Sequence, residues 1–399
     1  MRKISANYIF PISSMPLKNG IIILNDKNKV VKIIDTKGNL KEIENLEFYN
    51  GIIAPAFINA HCHLELSFLK NKIKKKQLLG NFILNLIKEK NKNIEKNLKL
   101  DFIKKADNEM KKNGIIAVGD ISNEEISFPV KSKSKIFYHN FIEIYSLDNS
   151  KSDLIFEKAI FFLSKISKKF KNLVFSIVPH SPYSVSDNLF EKIKIFSQKN
   201  NNIISIHNQE TESENELFFS KSGHLYENLK KLNLDLSKFS KKEKTSIEFF
   251  FPKISKKNKI LLVHNTFTSE KDINFLKKHL EKIFFVLCPS SNLFIENKLP
   301  KIDLFYNKNL NVAIGTDSLA SNEKLCILEE LKKIQNKFPE IPLENLLKWA
   351  TINGAKSLNL NENFGQIKVG KRAYLNLIEN VDLKNMKLKN ASKIKVLNF

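Results

Sequence analysis

Short runs rich in Ile, Val and Phe alternate along the chain with longer stretches in which apolar residues return at helical spacing. That alternation is the pattern of repeated βα units. It predicts barrel strands at 52–58, 114–119, 136–142, 173–179, 203–207, 260–264, 283–288 and 312–316. Helices are predicted at 78–90, 97–112, 152–170, 187–199, 269–281, 323–337 and 343–357. This set of strands, with helices between them, is enough to close a (β/α)8 TIM barrel of the α/β class.

Two segments fall outside that rhythm. Residues 1–50 read as short strands broken by turn signals at Lys18-Asn19-Gly20, Asn25-Asp26 and Lys37-Gly38, and the tail from 365 to 399 has the same character, punctuated by Gly370 and Asn390. The two ends are expected to pair into a small β-sandwich domain beside a barrel spanning 51–364. The connection after the fifth strand, 208–259, is unusually long and carries a second helical stretch near 243–251. Long βα connections on the catalytic face often form lids. His224 in this insertion reads equally well as a lid contact or a surface histidine.

Composition narrows the class. A 42% hydrophobic content in 399 residues supplies a sizeable core. Cys62, Cys288 and Cys326 show no paired framework and no CxxC spacing, which points to a reduced, cytoplasmic protein. Nothing approaches the ~18 continuous apolar residues of a membrane span. The formal charge of +24 invites a nucleic-acid partner, but the excess is almost all Lys spread along the whole chain. Arg occurs only at Arg2 and Arg372, and the Lys, Asn, Ile and Phe bias matches A/T-rich codons. Runs such as Lys70 to Lys76 and Lys241 to Lys244 read as solvated faces, so neither nucleic acid nor membrane is expected as a partner. A homo-oligomer is compatible with this composition.

The chemistry sits where the apolar runs end. His61 and His63, His207, His264 and Asp317 each follow a predicted strand, and the chain has only eight histidines. That end of a barrel strand is where active sites are built. Alternate strand residues point the same way, so His61 and His63 can converge on one divalent ion. Cys62 between them points to the opposite side and reads as a small buried thiol.

The strings Pro55-Ala56-Phe57-Ile58-Asn59-Ala60-His61-Cys62-His63, His180-Ser181-Pro182-Tyr183-Ser184-Val185-Ser186, His207-Asn208-Gln209-Glu210, His264-Asn265, Cys288-Pro289-Ser290-Ser291-Asn292 and Gly315-Thr316-Asp317-Ser318 resemble the amidohydrolase superfamily. Within it they are most similar to the mononuclear branch of chlorotriazine hydrolases, S-adenosylhomocysteine deaminases and 6-aminodeoxyfutalosine deaminases. The resemblance implies His61, His63, His207 and Asp317 as metal ligands, His264 holding the nucleophilic water, Glu210 handling protons and His180 contacting substrate. Glu65 and Asn292 are expected beside the substrate. Glu65 reads equally as a carboxylate at a helix N-terminus. No lysine closes the fourth strand, so a carbamylated-lysine bridge is not available and one metal per chain is implied, Zn2+ on ligand grounds with Fe2+ as the alternative. The tail Gly370-Lys371-Arg372-Ala373-Tyr374-Leu375 departs from the family's Gly-Lys-x-Ala-Asp-Leu, a matter of packing. The small pair Ser290-Ser291 is expected to alter the pocket and leave the metal site intact.

The chemistry agrees with those roles. A divalent metal lowers the pKa of water from 15.7 to roughly 7. Asp317 can take the water proton, His264 can orient the nucleophile, and Glu210 can protonate a ring nitrogen and pass that proton to a departing amine. The sum is a hydrolytic deamination, and the resemblance implies an adenine-type nucleoside as its substrate. The motif His63-Leu64-Glu65-Leu66-Ser67 and the His180 to Ser186 string resemble those of the 6-aminodeoxyfutalosine deaminases, which implies 6-aminodeoxyfutalosine as substrate, converted to futalosine for menaquinone biosynthesis. The absence of a barrel arginine argues against S-adenosylhomocysteine, whose carboxylate suits a bidentate fork. Adenosine or S-adenosylhomocysteine deamination, and chlorohydrolase or guanine-deaminase chemistry, are the alternatives. A binding protein without catalysis would have lost a ligand or Glu210.

Overall fold

The first strands of the chain build a sheet with its last ones. In the computed structural model, which describes residues 1–232, 234–237, 239 and 244–398, β1 (Arg2–Ile9), β2 (Leu17–Lys18), β3 (Ile21–Leu24), β4 (Val30–Ile34) and β5 (Leu46–Pro55) form the N-terminal part. Eight further strands run through the middle: β6 (Phe57–Cys62), β7 (Ile115–Ile121), β8 (Phe137–Ile144), β9 (Val174–Pro179), β10 (Ile204–Asn208), β11 (Ile260–His264), β12 (Ile283–Leu287) and β13 (Val312–Ile314). β14 (Leu375–Glu379) and β15 (Lys393–Asn398) return to the first sheet, whose order is β15-β14-β5-β1-β3-β4 with β2 on β1.

β6 to β9 and β10 to β13 are two parallel four-stranded sheets. Most of their residues are buried, because a parallel barrel is filled inside and covered by helices outside; this is why the strands read as continuous apolar runs. Two seams close the barrel. At one, the His207 N–H donates to the His180 carbonyl at 3.0 Å, joining β10 to the end of β9. At the other, the Thr316 and Asp317 N–H groups both donate to the His61 carbonyl at 3.1 Å, joining the end of β13 to β6. The barrel is therefore an (β/α)8 barrel whose closure passes through the backbones of the candidate ligands.

The predicted strand 52–58 is divided. Residues up to Pro55 belong to β5, which pairs with β1 and β14, and the barrel strand begins at Phe57. Proline cannot donate to a ladder and marks the break. The run reads as one strand because β5 is buried on both sides: Ile53 packs with Ile4, Ile22 and Leu375 in the small domain, while Ile52 and Ala54 face the barrel core. The predicted helix 269–281 is a helix at Glu270–Leu276 continued as a 3-10 turn, and 343–357 contains a π segment at Trp349–Asn353. The 208–259 connection holds helices Glu212–Ser220, His224–Lys231 and Ser246–Phe250. Lys241, Lys242 and Glu243, part of the basic run and of the predicted 243–251 stretch, lie outside the described residues. Among the described residues no helix is long and apolar enough to cross a membrane.

Candidate active site

Strand alternation brings His61 and His63 to one point. Their Nε2 atoms lie 3.1 Å apart, and Asp317 Oδ1 is 3.5 and 3.4 Å from them. The ring of His207 is centred 5.0 Å from that of His61 and 5.5 Å from that of His63. Nitrogens and oxygens bound to one ion at about 2.0–2.2 Å in tetrahedral geometry would sit about 3.4 Å from one another. The donor set thus fits one divalent ion, and its chemistry, three imidazoles and a carboxylate, suits zinc or iron.

Two of the donors, His207 and Asp317, are held from behind. His207 Nδ1 donates to the His180 carbonyl at 2.9 Å and stands 3.3 Å from Glu143 Oε1, which leaves Nε2 for a ligand. Asp317 Oδ2 accepts from Ser291 Oγ at 2.6 Å and Ser321 Oγ at 2.5 Å, leaving Oδ1 toward the histidines. Ser291 is therefore part of the metal cradle rather than a pocket residue that leaves that site alone. The Nδ1 of His61 is buried without a partner, so the hold on that ring comes through Nε2. His264 (φ 74°) and Asp317 (φ 57°) have left-handed backbone, strain of the kind that a surrounding fold must impose.

Electrostatics favour a cation here. Burial depresses the pKa of His61 and His63, so both present lone pairs. Burial works against charge on Asp317 too, but the hydrogen bond from His61 and the nearby His63 hold it well below the usual carboxylate range. On His207, burial is overridden by the hydrogen bond and charge of Glu143, which push it up to about 9. The field that would retain a proton on His207 equally favours a metal ion at its free nitrogen.

Glu210 stands over this cluster. It is 5% exposed, its Oε1 lies 3.6 Å from His264 Nε2, and burial raises its pKa well above the ordinary value. His264 Nδ1 faces Asn292 Oδ1 at 3.5 Å, and burial lowers His264 to about 3, keeping it neutral. Asn292 also bonds Thr266, so it orients His264 instead of lining the cavity. Glu214 fixes the turn below Glu210: its carboxylate accepts the N–H groups of Gln209 at 3.0 Å and Glu210 at 3.2 Å, and Ser246 Oγ at 2.5 Å.

The cavity above the cluster measures about 70 Å3 and is bounded by His63, His180, Tyr183, His207, Glu210, His264 and Asp317 on one side. Leu66 and, from the helix Leu78–Lys90, Leu79, Phe82, Ile83 and Leu86 bound the other. His180 Nδ1 is engaged by Ser184 Oγ at 2.8 Å. Glu65 is not in that wall. Its Oε2 accepts the N–H groups of Asn123 and Glu124, both at 2.9 Å, and burial pushes it up to about 7. His224 also lies away from the wall, contacting Asn228. Arg2 pairs with Glu47 and Arg372 stacks on Tyr374, both in the small domain.

Sequence reasoning missed Glu143, Ser321 and Glu214. Glu143 had one signal, a lone acid at the end of the apolar strand Phe137–Ile144; the serine and Glu214 had none, since their roles come from tertiary approach.

Fold and donor set define a parallel barrel with a candidate metal site at the C-terminal end of its strands. The amidohydrolase family model matches residues 52–398, and the chain belongs to this family. It is a hydrolase acting on C–N bonds. An adenosine deaminase from Helicobacter pylori is 28% identical over 88% of this chain and 85% of its own length. An aminodeoxyfutalosine deaminase from Nitratiruptor sp. is 29% identical over 90% and 88%. The crystal structure of Helicobacter pylori aminofutalosine deaminase with methylthio-coformycin superposes with a TM-score of 0.77 at 24% identity, over 98% of this chain and 94% of that one.

Proposed function

We propose that the chain is a metal-dependent deaminase converting the 6-amino group of an adenine-type nucleoside to 6-oxo, with 6-aminodeoxyfutalosine as its preferred substrate and futalosine and ammonia as products. The observation that carries the reading is Glu210, a buried carboxyl whose pKa burial raises, 3.6 Å from His264 and beside the donor cluster. His61, His63, His207 and Asp317 would hold the ion, which when bound supplies activated water at neutral pH. Zinc is the ion this reading favours.

The chain's own groups do the rest. The Glu210 carboxyl donates its proton to a ring nitrogen of the bound purine, which makes C6 more electrophilic. His264, fixed by Asn292, orients the attacking water from the side facing Glu210. Asp317 takes a proton from that water, its Oδ2 being occupied by two serine hydroxyls so that Oδ1 faces the reaction. The resulting Glu210 carboxylate then takes the proton of the new C6 hydroxyl and passes it to the amine, which leaves as ammonia as the 6-oxo group forms, and the proton held by Asp317 returns to Glu210.

The names of the relatives, adenosine deaminase and aminodeoxyfutalosine deaminase, support an adenine-type substrate. With both arginines in the small domain, no guanidinium fork is at hand for the amino-acid carboxylate of S-adenosylhomocysteine, so the reading keeps 6-aminodeoxyfutalosine, and with it a proposed role in menaquinone biosynthesis in the cytoplasm. Ammonia release from 6-aminodeoxyfutalosine, adenosine, S-adenosylhomocysteine and guanine tests this. The first should exceed S-adenosylhomocysteine by at least roughly tenfold in kcat/KM, about 1.4 kcal/mol. Equal or reversed preference would reject the substrate, and no ammonia from any of the four would reject the deaminase.

A further inference from the structure

β6 leaves its sheet at Cys62, which pairs with Asp120 of β7, and the chain then turns through His63 (φ −128°, ψ 77°) into the 3-10 turn Leu64–Leu69. A buried residue just past the end of a ladder still has a backbone N–H to satisfy, and Leu64 is fully buried. Its partner is a side chain: the Leu64 N–H donates to Asp120 Oδ1 at 2.8 Å. Among the described residues no hydrogen bond holds the His63 ring from behind, in the way that the His180 carbonyl holds His207. The direction of His63 Nε2 is therefore set through its backbone, and Asp120 grips that backbone one residue on.

Asp120 is in turn held by a buried cation. Its Oδ2 pairs with the Lys131 ammonium, and both side chains are fully buried. Lys131 Nζ also donates to Ser122 Oγ at 2.6 Å and to Asn140 Oδ1 at 2.9 Å, so the three protons of the ammonium meet three acceptors. The rings of Phe128 and Tyr138 flank it, centred 5.2 and 5.5 Å from Nζ. A buried ion pair often stabilises less than well-packed apolar residues of the same volume, so stability alone does not account for one. Neither partner lines the cavity, which leaves the backbone beside His63 as the point where the pair acts on the site.

We propose that Asp120 is a positioning residue for the candidate metal ligand His63, with Lys131 as the counter-charge that fixes its carboxylate. The Asp120–Leu64 bond ties the step after His63 to β7. It thereby keeps His63 Nε2 3.1 Å from His61 Nε2 and 3.4 Å from Asp317 Oδ1 before an ion arrives. A donor set held in place in advance binds its ion more tightly. This rests on the metal reading of the site given above.

The test compares two double variants that both remove the buried charges. Asp120→Asn with Lys131→Met keeps an acceptor for the Leu64 N–H, whereas Asp120→Leu with Lys131→Met fills a similar volume and keeps none. Zn2+ affinity is read by competition with a chelator, and kcat and KM by ammonia release from 6-aminodeoxyfutalosine at saturating Zn2+. The Asn pair should bind Zn2+ within about threefold of the unaltered protein, and the Leu pair should lose roughly tenfold or more, with kcat falling and KM within about twofold. If circular dichroism shows the Leu pair unfolded, Asp120→Ala with Lys131→Met is read in its place, with the same expected loss. Equal Zn2+ affinity in the two pairs, whether retained or lost, would make the Asp120–Lys131 pair a support for the fold alone and overturn the inference. An unaltered protein that binds no Zn2+ would overturn the metal reading, and this inference with it.

Discussion

Glu143 Oε1 lies 3.3 Å from His207 Nδ1, behind the one ligand supplied by β10. The carboxylate fixes the ring's tautomer and raises its basicity, two properties that decide how well Nε2 binds an ion. Burial opposes ionisation of Glu143, yet the surrounding histidines, His180 and His207 foremost, hold its pKa well below the ordinary value.

Glu143→Gln retains shape and removes that charge. Metal affinity should fall by roughly 10–100-fold while the fold is kept, read by competition with a chelator and by circular dichroism. Unchanged affinity would show that the His180 carbonyl alone orients His207.

Glu210→Gln separates proton transfer from metal binding. Glu210 follows His207 by three residues, past the end of β10, and its Oε1 stands 3.6 Å from His264 Nε2. Metal content should remain near normal and kcat should fall by roughly 10²-fold or more. Activity within a few-fold would remove Glu210 from the proton path, and loss of metal would make it a ligand.

Glu214 predicts a pH dependence of stability. Burial raises it to about 7 from an ordinary 4.5, so the folded state binds its proton more tightly than the unfolded state. The contribution is fully present below about 4.5 and is lost as pH rises toward about 7. Glu65, also pushed up to about 7, acts in the same direction. The Tm of metal-free Glu214→Gln should fall less steeply over that interval than that of the unaltered protein; an equally steep decline would assign the slope elsewhere.

Much of the barrel was legible because its strands are buried on both faces and interrupted by helices of regular periodicity. The strand 52–58 was misread for the same reason: β5 and β6 are both buried, and the sequence does not mark which sheet each joins, apart from Pro55. His61, His63, His207, His264, Glu210 and Asp317 stood out since polar residues at the ends of apolar runs are few. What those residues rest on was not legible. Ser291 meets Asp317 from the helix Pro289–Ile295 and Ser321 from a turn, and Glu143 comes from a strand of the other four-stranded sheet than β10. Glu65 and Asn292 were expected beside the substrate, but one caps the backbone of Asn123 and Glu124 and the other orients His264. Polar side chains near a motif have several ways to be satisfied, and only the fold selects among them.

We propose a single divalent ion, held by His61, His63, His207 and Asp317 and used in deamination. Its most direct test is titration of chelator-stripped enzyme with Zn2+ while ammonia release from 6-aminodeoxyfutalosine is followed. Activity should be absent without metal and should saturate at about one equivalent per chain. Full activity in the stripped protein, or a break at two equivalents, would contradict it.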